Sequence, residues 1–295
     1  MRKPLSYEKH KRLVGLSFVT PWLIGFVAFT AFPLVYCFYM ALNKVNFVLD
    51  HLEMNFIGID NFRKALLEDA EIPNKLLQTL QQNILVIPTI VVFSLIMALL
   101  LNEKFAGRGF FRAIFFLPVV LTSGNLIATL TSEGRASIDF LQSDTAKNLV
   151  SGIGGTLGTS ISTVMDNFVV ILWYSGVQML LLIAGMQSIN PSTYEAAKID
   201  GAGKWETLWT ITLPGLAPFL FISVVYTIVD QFTTNINPLM DVITWHSNQT
   251  NTGYGYASAI AWLYFALVLL LLGFAALIFR NSIRFSGKRE RRKMP

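Results

Sequence analysis

The chain has 295 residues, of which 53% are hydrophobic and 14% are Asp, Glu, Lys or Arg; the formal net charge is +5 and the mean hydropathy is +0.53. A soluble domain carries about 25% charged residues, so this composition excludes a disordered chain and argues against a water-soluble enzyme. The single Cys37 excludes a disulfide scaffold. What remains is an integral membrane protein.

Six segments free of Lys, Arg, Asp and Glu approach or exceed the about 20 apolar residues that cross a bilayer as a helix. They cover approximately residues 13–42, 84–101, 113–130, 168–186, 213–229 and 259–279. None alternates with period two, which argues against a membrane barrel. Arg2, Lys3, Lys9, Lys11 and Arg12 precede the first segment, as they would a signal peptide. Its uncharged run is too long for a signal core, so it is read as a retained helix. Prolines at 21, 33, 88, 118 and 218 fall in or beside the spans, where a helical bundle can absorb a kink.

The connections follow in order. Loop 43–81 has room for short amphipathic helices, with 61–67 as one candidate. Loop 131–166 carries SGIGGTLGTS at 151–160, read as a flexible outer turn because its glycines lack a phosphate-binding spacing. With both termini, loop 102–112 and loop 187–212 placed in the cytoplasm, most of the 23 Lys and Arg lie inside. Only Lys44, Arg63, Lys64, Lys75, Arg135 and Lys147 lie opposite. The basic tail 280–293 then faces anionic headgroups rather than nucleic acid. The chain is expected to be all-α, with six spans in one membrane domain, 1–295.

No catalytic constellation is present. Gly203-Lys204 and Gly287-Lys288 do not complete a P-loop, because Lys198 and Ser282 occupy the first glycine position. His10, His51 and His246 have no second ligand at a metal spacing. The chain is therefore read as a non-enzyme with no cofactor or metal of its own. Polar residues at membrane depth are costly and tend to line cavities. The candidates are Asn125 in span three, Tyr174 and Gln178 in span four, and Tyr226, Asp230, Gln231 and Asn235 on span five. The competing reading for each is helix-to-helix hydrogen bonding.

Loop 187–212 contains Glu195-Ala196-Ala197, then Asp200-Gly201, and after nine residues Ile211-Thr212-Leu213-Pro214. Pro191, Ser192 and Glu195 suggest a capping box at a helix start, Gly201 a left-handed terminus, and 204–210 a second helix. The pattern resembles the EAA motif of ABC importer permeases: Glu195, Ala196, Ala197, Gly201, Ile211, Leu213 and Pro214 all match. Residues 189–202, Trp173 with 176–185, 255–259 and 56–62 are similar to carbohydrate-uptake permeases, in particular the first of their two paired subunits. One departure is residues 235–241, which lack the paired glycines of the family's Thr-x-Gly-Gly-Pro stretch.

The resemblance implies a type I importer permease in a prokaryotic plasma membrane, translocating a sugar or oligosaccharide by alternating access. It implies a second six-span permease, two cytoplasmic ABC ATPases holding ATP and Mg, and an extracytoplasmic sugar-binding protein. Residues 187–212 would form the coupling helix, with Glu195, Ala196, Ala197, Asp200, Gly201, Ile211, Leu213 and Pro214 serving the ATPase. A permease for a non-sugar solute is the alternative, and a stand-alone channel or secondary transporter is weaker because no internal repeat is visible.

Overall fold

The computed structural model describes residues 7–48, 51–103, 105–121, 143–233, 237–249 and 253–291. These form α1 (Tyr7–Phe26), α2 (Phe32–Ala41), β1 (Asn43–Val48), β2 (His51–Phe56), α3 (Asp60–Arg63), α4 (Glu71–Asn102) and α5 (Arg108–Leu121). After them come α6 (Asp144–Ile153), α7 (Gly155–Asp166), α8 (Phe168–Ser188), α9 (Pro191–Ile199), α10 (Lys204–Thr207), α11 (Leu213–Thr233), α12 (Pro238–Ser247) and α13 (Gly253–Arg291).

Five helical stretches are long and apolar enough to cross a membrane: Val14–Ala41, Glu71–Asn102, Phe168–Ser188, Lys204–Thr233 and Gly253–Arg280. They match five of the six expected segments and extend four of them. The expected span at 113–130 begins in α5, and its remainder, 122–130, lies outside the described residues.

One expectation is refined and another corrected. The described residues are mostly helical as expected, but Asn43–Val48 and His51–Phe56 pair as two antiparallel strands. The stretch 151–160 is not a flexible turn: it belongs to α6 and α7, which break only at Gly154 (φ 65°) and Gly155 (φ 60°). Two successive residues in the left-handed region are what glycine alone supplies cheaply.

Two of the three π-helical turns among the described residues lie just before a proline. Val27–Ala31 ends two residues before Pro33, and Leu208–Thr212 ends two residues before Pro214. A proline ring clashes with the carbonyl four residues back in a regular helix. The wider turn relieves this, and the N–H of Phe32 and of Leu213 each reach back five residues, to Val27 and Leu208. The helix thus continues through each proline instead of ending.

The chain forms two compact units, Met1–Pro73 with Asp241–Tyr264, and Asn74–Met240 with Phe265–Pro295. In the first, the register pairs Asn43 with Phe56 and Val45 with Met54. Val45 is buried, and Asn61 Nδ2 donates to the carbonyls of Ala41 (2.9 Å) and Asn43 (3.0 Å), tying α3 to the foot of the hairpin. The first turn of α13 lies against β1, where Cβ atoms at Gly253 and Gly255 would overlap the carbonyl oxygens of Val45 and Asn43. One turn of helix later the Tyr256 hydroxyl donates to Asp69 Oδ2 at 2.7 Å. Lys64 Nζ sits 5.0 Å from the Tyr256 ring centroid and the His246 ring meets it edge-on at 4.9 Å.

The second unit is organised by α8, which packs on α5 and α11. Ala98 and Leu101 of α4 cluster with Met179, Leu182, Ile183 and Met186 of α8 and Leu216 of α11, and a second cluster joins Val86 and Ile90 to Ile171 and Tyr174. Gly185 allows the closest approach: a Cβ there would lie 2.6 Å from Phe219 and 2.8 Å from Leu216. Small residues at helix crossings are the usual device for close packing in membranes.

Candidate functional site

The loop between α8 and α11 is built by capping at both ends of α9. Asn190 is the N-cap, its Oδ1 accepting from the Ser192 N–H at 3.1 Å, and Pro191 follows at N1. The expected capping box is therefore not formed. The cap lies two residues earlier than Ser192, so Glu195 falls too deep in the helix to reach back to it, and its side chain stays exposed.

The other end is a complete Schellman motif. Gly201 N–H bonds the Lys198 carbonyl (3.2 Å) and Ala202 N–H bonds that of Ala197 (2.9 Å), with Gly201 at φ 80°. The expectation for Gly201 holds. An added Cβ at Gly201 meets nothing within 4 Å, so this glycine is required by backbone conformation and not by crowding.

The second helix of the loop is not separate. Residues 204–212 run through the π turn into α11, making one apolar stretch, Lys204–Thr233. Glu195, Ala196, Asp200, Gly201 and Pro214 are exposed, Ile211 and Leu213 half-buried, and Ala197 buried. Around them Ile199, Trp205 and Trp209 are 86%, 71% and 55% exposed, with the two indoles edge-to-face at 5.6 Å. Sequence reasoning missed these three; the signal was an i, i+4 tryptophan pair following the glycine turn. The exposed pair Lys204–Glu103, at 3.7 Å, contributes little in water.

Two side-chain bonds join α9 and α8 to α11. Thr212 Oγ1 points its single hydrogen at the Thr207 carbonyl (3.3 Å), so the Tyr194 hydroxyl, 3.2 Å away, is the donor to Thr212. Higher up, Gln178 Nε2 donates to Thr227 Oγ1 at 2.9 Å, and Thr227 donates to the Ser223 carbonyl at 2.8 Å. Gln178 Oε1 and Ser223 Oγ are buried without a hydrogen-bond partner.

The residues proposed from the sequence to lie at membrane depth separate accordingly. Tyr174 and Gln178 are buried, Gln178 completely, and Gln178 is committed to the α8–α11 seam. On α11, Gln231 is buried, Asp230 is half-buried and Tyr226 is 38% exposed. Tyr226 and Asp230 stand four residues apart and share a helix face. Asn125 and Asn235 lie outside the described residues. Among the described residues no group of His, Cys, Asp and Glu is arranged to hold a metal.

Comparison with known proteins agrees with this architecture. The multiple sugar-binding transport system permease protein MsmF of Streptococcus mutans is 32% identical, over 86% of this chain and 91% of its own. The trehalose/maltose transport system permease protein MalF of Thermococcus litoralis is 29% identical, over 90% and 92%. A chain from the crystal structure of a bacterial ABC transporter involved in alginate import superimposes with a TM-score of 0.61 over 93% of this chain and 98% of that one, at 21% identity, a likeness of fold. Residues 71–285 match the family described as binding-protein-dependent transport system inner membrane component. This chain belongs to that family and is a multi-pass membrane transport protein.

Proposed function

We propose that the chain is the translocation subunit of an ATP-driven sugar or oligosaccharide importer, with six spans, both termini in the cytoplasm, and α9 docking a cytoplasmic ABC ATPase. The observation that carries this reading is the Schellman-capped α9, which presents Glu195, Ala196, Asp200 and Gly201 to solvent beside exposed Ile199, Trp205 and Trp209. An apolar patch of this kind on a connecting loop, rimmed by charge, is a protein-docking surface in chemistry. The sugar names of the relatives support the cargo class. A second permease, two ATPases holding ATP and Mg, and an extracytoplasmic binding protein complete the assembly in this reading. The alginate transporter was crystallised in complex with a pentasaccharide-bound periplasmic protein, which supports that last partner. The whole chain acts as one membrane domain and performs no catalysis of its own.

ATP binding would draw the docked loops together and bias the bundle between two access states, since a ligand shifts an equilibrium only by its differential affinity for the two. Within the translocation path, Tyr226 and Asp230 are the best placed of the described candidates, joined by Tyr174, Gln231 and the two asparagines, Asn125 and Asn235. An aromatic face and a carboxylate on one side of a helix suit a polyhydroxylated ring. Gln178 serves the seam between spans instead.

The test is a detergent pull-down of the tagged chain from its native membrane, with Gly201→Asp and Gly201→Asn in parallel. Asp and Asn both tolerate a left-handed φ. The two variants therefore share the backbone change and differ in charge. Wild type and Gly201→Asn should bring down a P-loop ATPase and a second six-span protein, while Gly201→Asp should lose the ATPase. A wild-type chain recovered alone, or Gly201→Asp retaining the ATPase, overturns this reading.

A further inference from the structure

The motif's proline, the π turn before it and the Tyr194–Thr212 bond form one construction. Pro214 follows two residues after the wide turn at Leu208–Thr212, which gives the ring room that a regular helix would not. A π turn inserts one residue relative to a regular helix, and each residue of α-helix corresponds to about 100° of rotation. The position of Thr212 around the axis therefore depends on that turn. It is rotated to where it is buried, at 6% exposure, with its hydroxyl accepting from Tyr194 on α9.

A second contact lies just past the first. A Cβ on Gly215 would come within 2.8 Å of Ile189 Cδ1, so the residue just after α8 already rests on the backbone of α11. Beyond it the seam continues through Gly185 against Leu216 and Phe219, and then through Gln178 to Thr227. Along this series only Tyr194–Thr212 grips α9 itself by a side-chain hydrogen bond.

We infer that Tyr194 is a positioning residue for coupling: its bond to Thr212 fixes α9 to the foot of span five, so that the docking loop and spans four and five move as one lever. The inference rests on the proposed function, because a lever needs an ATPase to drive it. Tyr194 need not touch the ATPase, and its hydroxyl is engaged within the chain. Without the bond, α9 would keep both its caps and its docking face, while its displacement would be taken up partly by bending at residues 200–203 instead of reaching span five.

The experiment uses the assembled complex in proteoliposomes. Spin labels are placed at Ser192→Cys and Ile222→Cys, both exposed, with Cys37→Ser as background. Distances are measured without nucleotide and with Mg-ATP plus vanadate, and ATPase recovery is measured alongside. The expected result is one narrow distance, unchanged by nucleotide. In Tyr194→Phe and in Thr212→Val a second distance should gain about fivefold in population, the scale of one net hydrogen bond. The double variant should be no worse than either single one, Thr212→Ser should behave as wild type, and ATPase recovery should be equal in all.

A wild-type distance that changes with nucleotide overturns the lever. So do single variants that keep one narrow distance, or a Thr212→Ser that behaves like Thr212→Val, since packing and not the hydroxyl would then matter. Absence of the ATPase from the wild-type complex overturns the proposed function itself, and is read in the recovery measurement and not in the distances.

Discussion

Tyr256–Asp69 in the hairpin unit and Gln178–Thr227 in the helical unit are both hydrogen bonds between elements distant in sequence, yet they treat the remaining polar atoms differently. Asp69 has its other oxygen bonded by the Glu71 N–H at 2.9 Å, and the Tyr256 ring is covered by Lys64 and His246. Burial pushes the Asp69 carboxyl up, but the Tyr256 hydroxyl and the N–H groups of Glu71 and Ile72 outweigh this and hold it below the usual value of 3.8. Gln178 satisfies only its amide nitrogen and leaves Oε1, with the nearby Ser223 Oγ, buried and unpaired. A charged acceptor near water can be fully engaged without strain, whereas a membrane seam between two helices has few donors to offer. The first arrangement should fix one geometry strongly; the second should hold its helices together with little net energy.

The contrast can be broken most forcefully at the backbone. In Gly255→Ala the new Cβ would overlap the Asn43 carbonyl, and neither a helix backbone nor a paired strand can yield cheaply. A loss of about 3 kcal/mol is expected from overpacking of this kind. Thermal unfolding of the purified protein in detergent should show it, with proteolysis of the hairpin appearing first. An unchanged midpoint would mean that α13 and β1 do not meet as described.

Tyr256→Phe comes next. It keeps the ring contacts with Lys64 and His246 and removes the hydrogen bond to a carboxylate, for an expected loss of about 2 kcal/mol. Gln178→Leu should cost about 0.5 kcal/mol, because the lost Thr227 bond is offset by removal of the unpaired buried carbonyl. Equal effects in the two variants would erase the distinction drawn above.

The smallest effect concerns pH. Because the folded-state pKa of Asp69 is lowered, its stabilising contribution is complete above the ordinary value of 3.8 and is lost as pH falls through the lower folded value. Unfolding midpoints of wild type and Tyr256→Phe should therefore converge on acidification below that value. A constant gap would mean that the hydrogen bond does not depend on the charge.

Much of the loop between α8 and α11 could be read from the residues because its structure is local. Gly201 supplies the left-handed end of α9, and Glu195, Ala196 and Ala197 lie on the helix that the motif suggested. The cap was misassigned for an equally local reason: Asn190 and Ser192 are both good N-caps, and Pro191 between them favours the earlier one by fitting N1. The strands at 43–48 and 51–56 were missed although Leu52, Met54 and Phe56 alternate with Glu53 and Asn55 as strand residues do; the run is only five residues long, and the pair is held partly by Asn61 and by the glycines at the start of α13.

The sequence by itself determined that the chain lives in a membrane, where its long uncharged helices run, and where the chain turns at Gly201. Each follows from a few neighbouring residues, through the cost of burying charge or the φ that only glycine adopts easily. Tertiary structure alone decided that Gln178 bonds Thr227, that Tyr194 reaches Thr212 across the π turn before Pro214, and that Gly255 carries β1 on its backbone. Those outcomes depend on which helix face meets which neighbour, and a single extra residue in a turn is enough to change them.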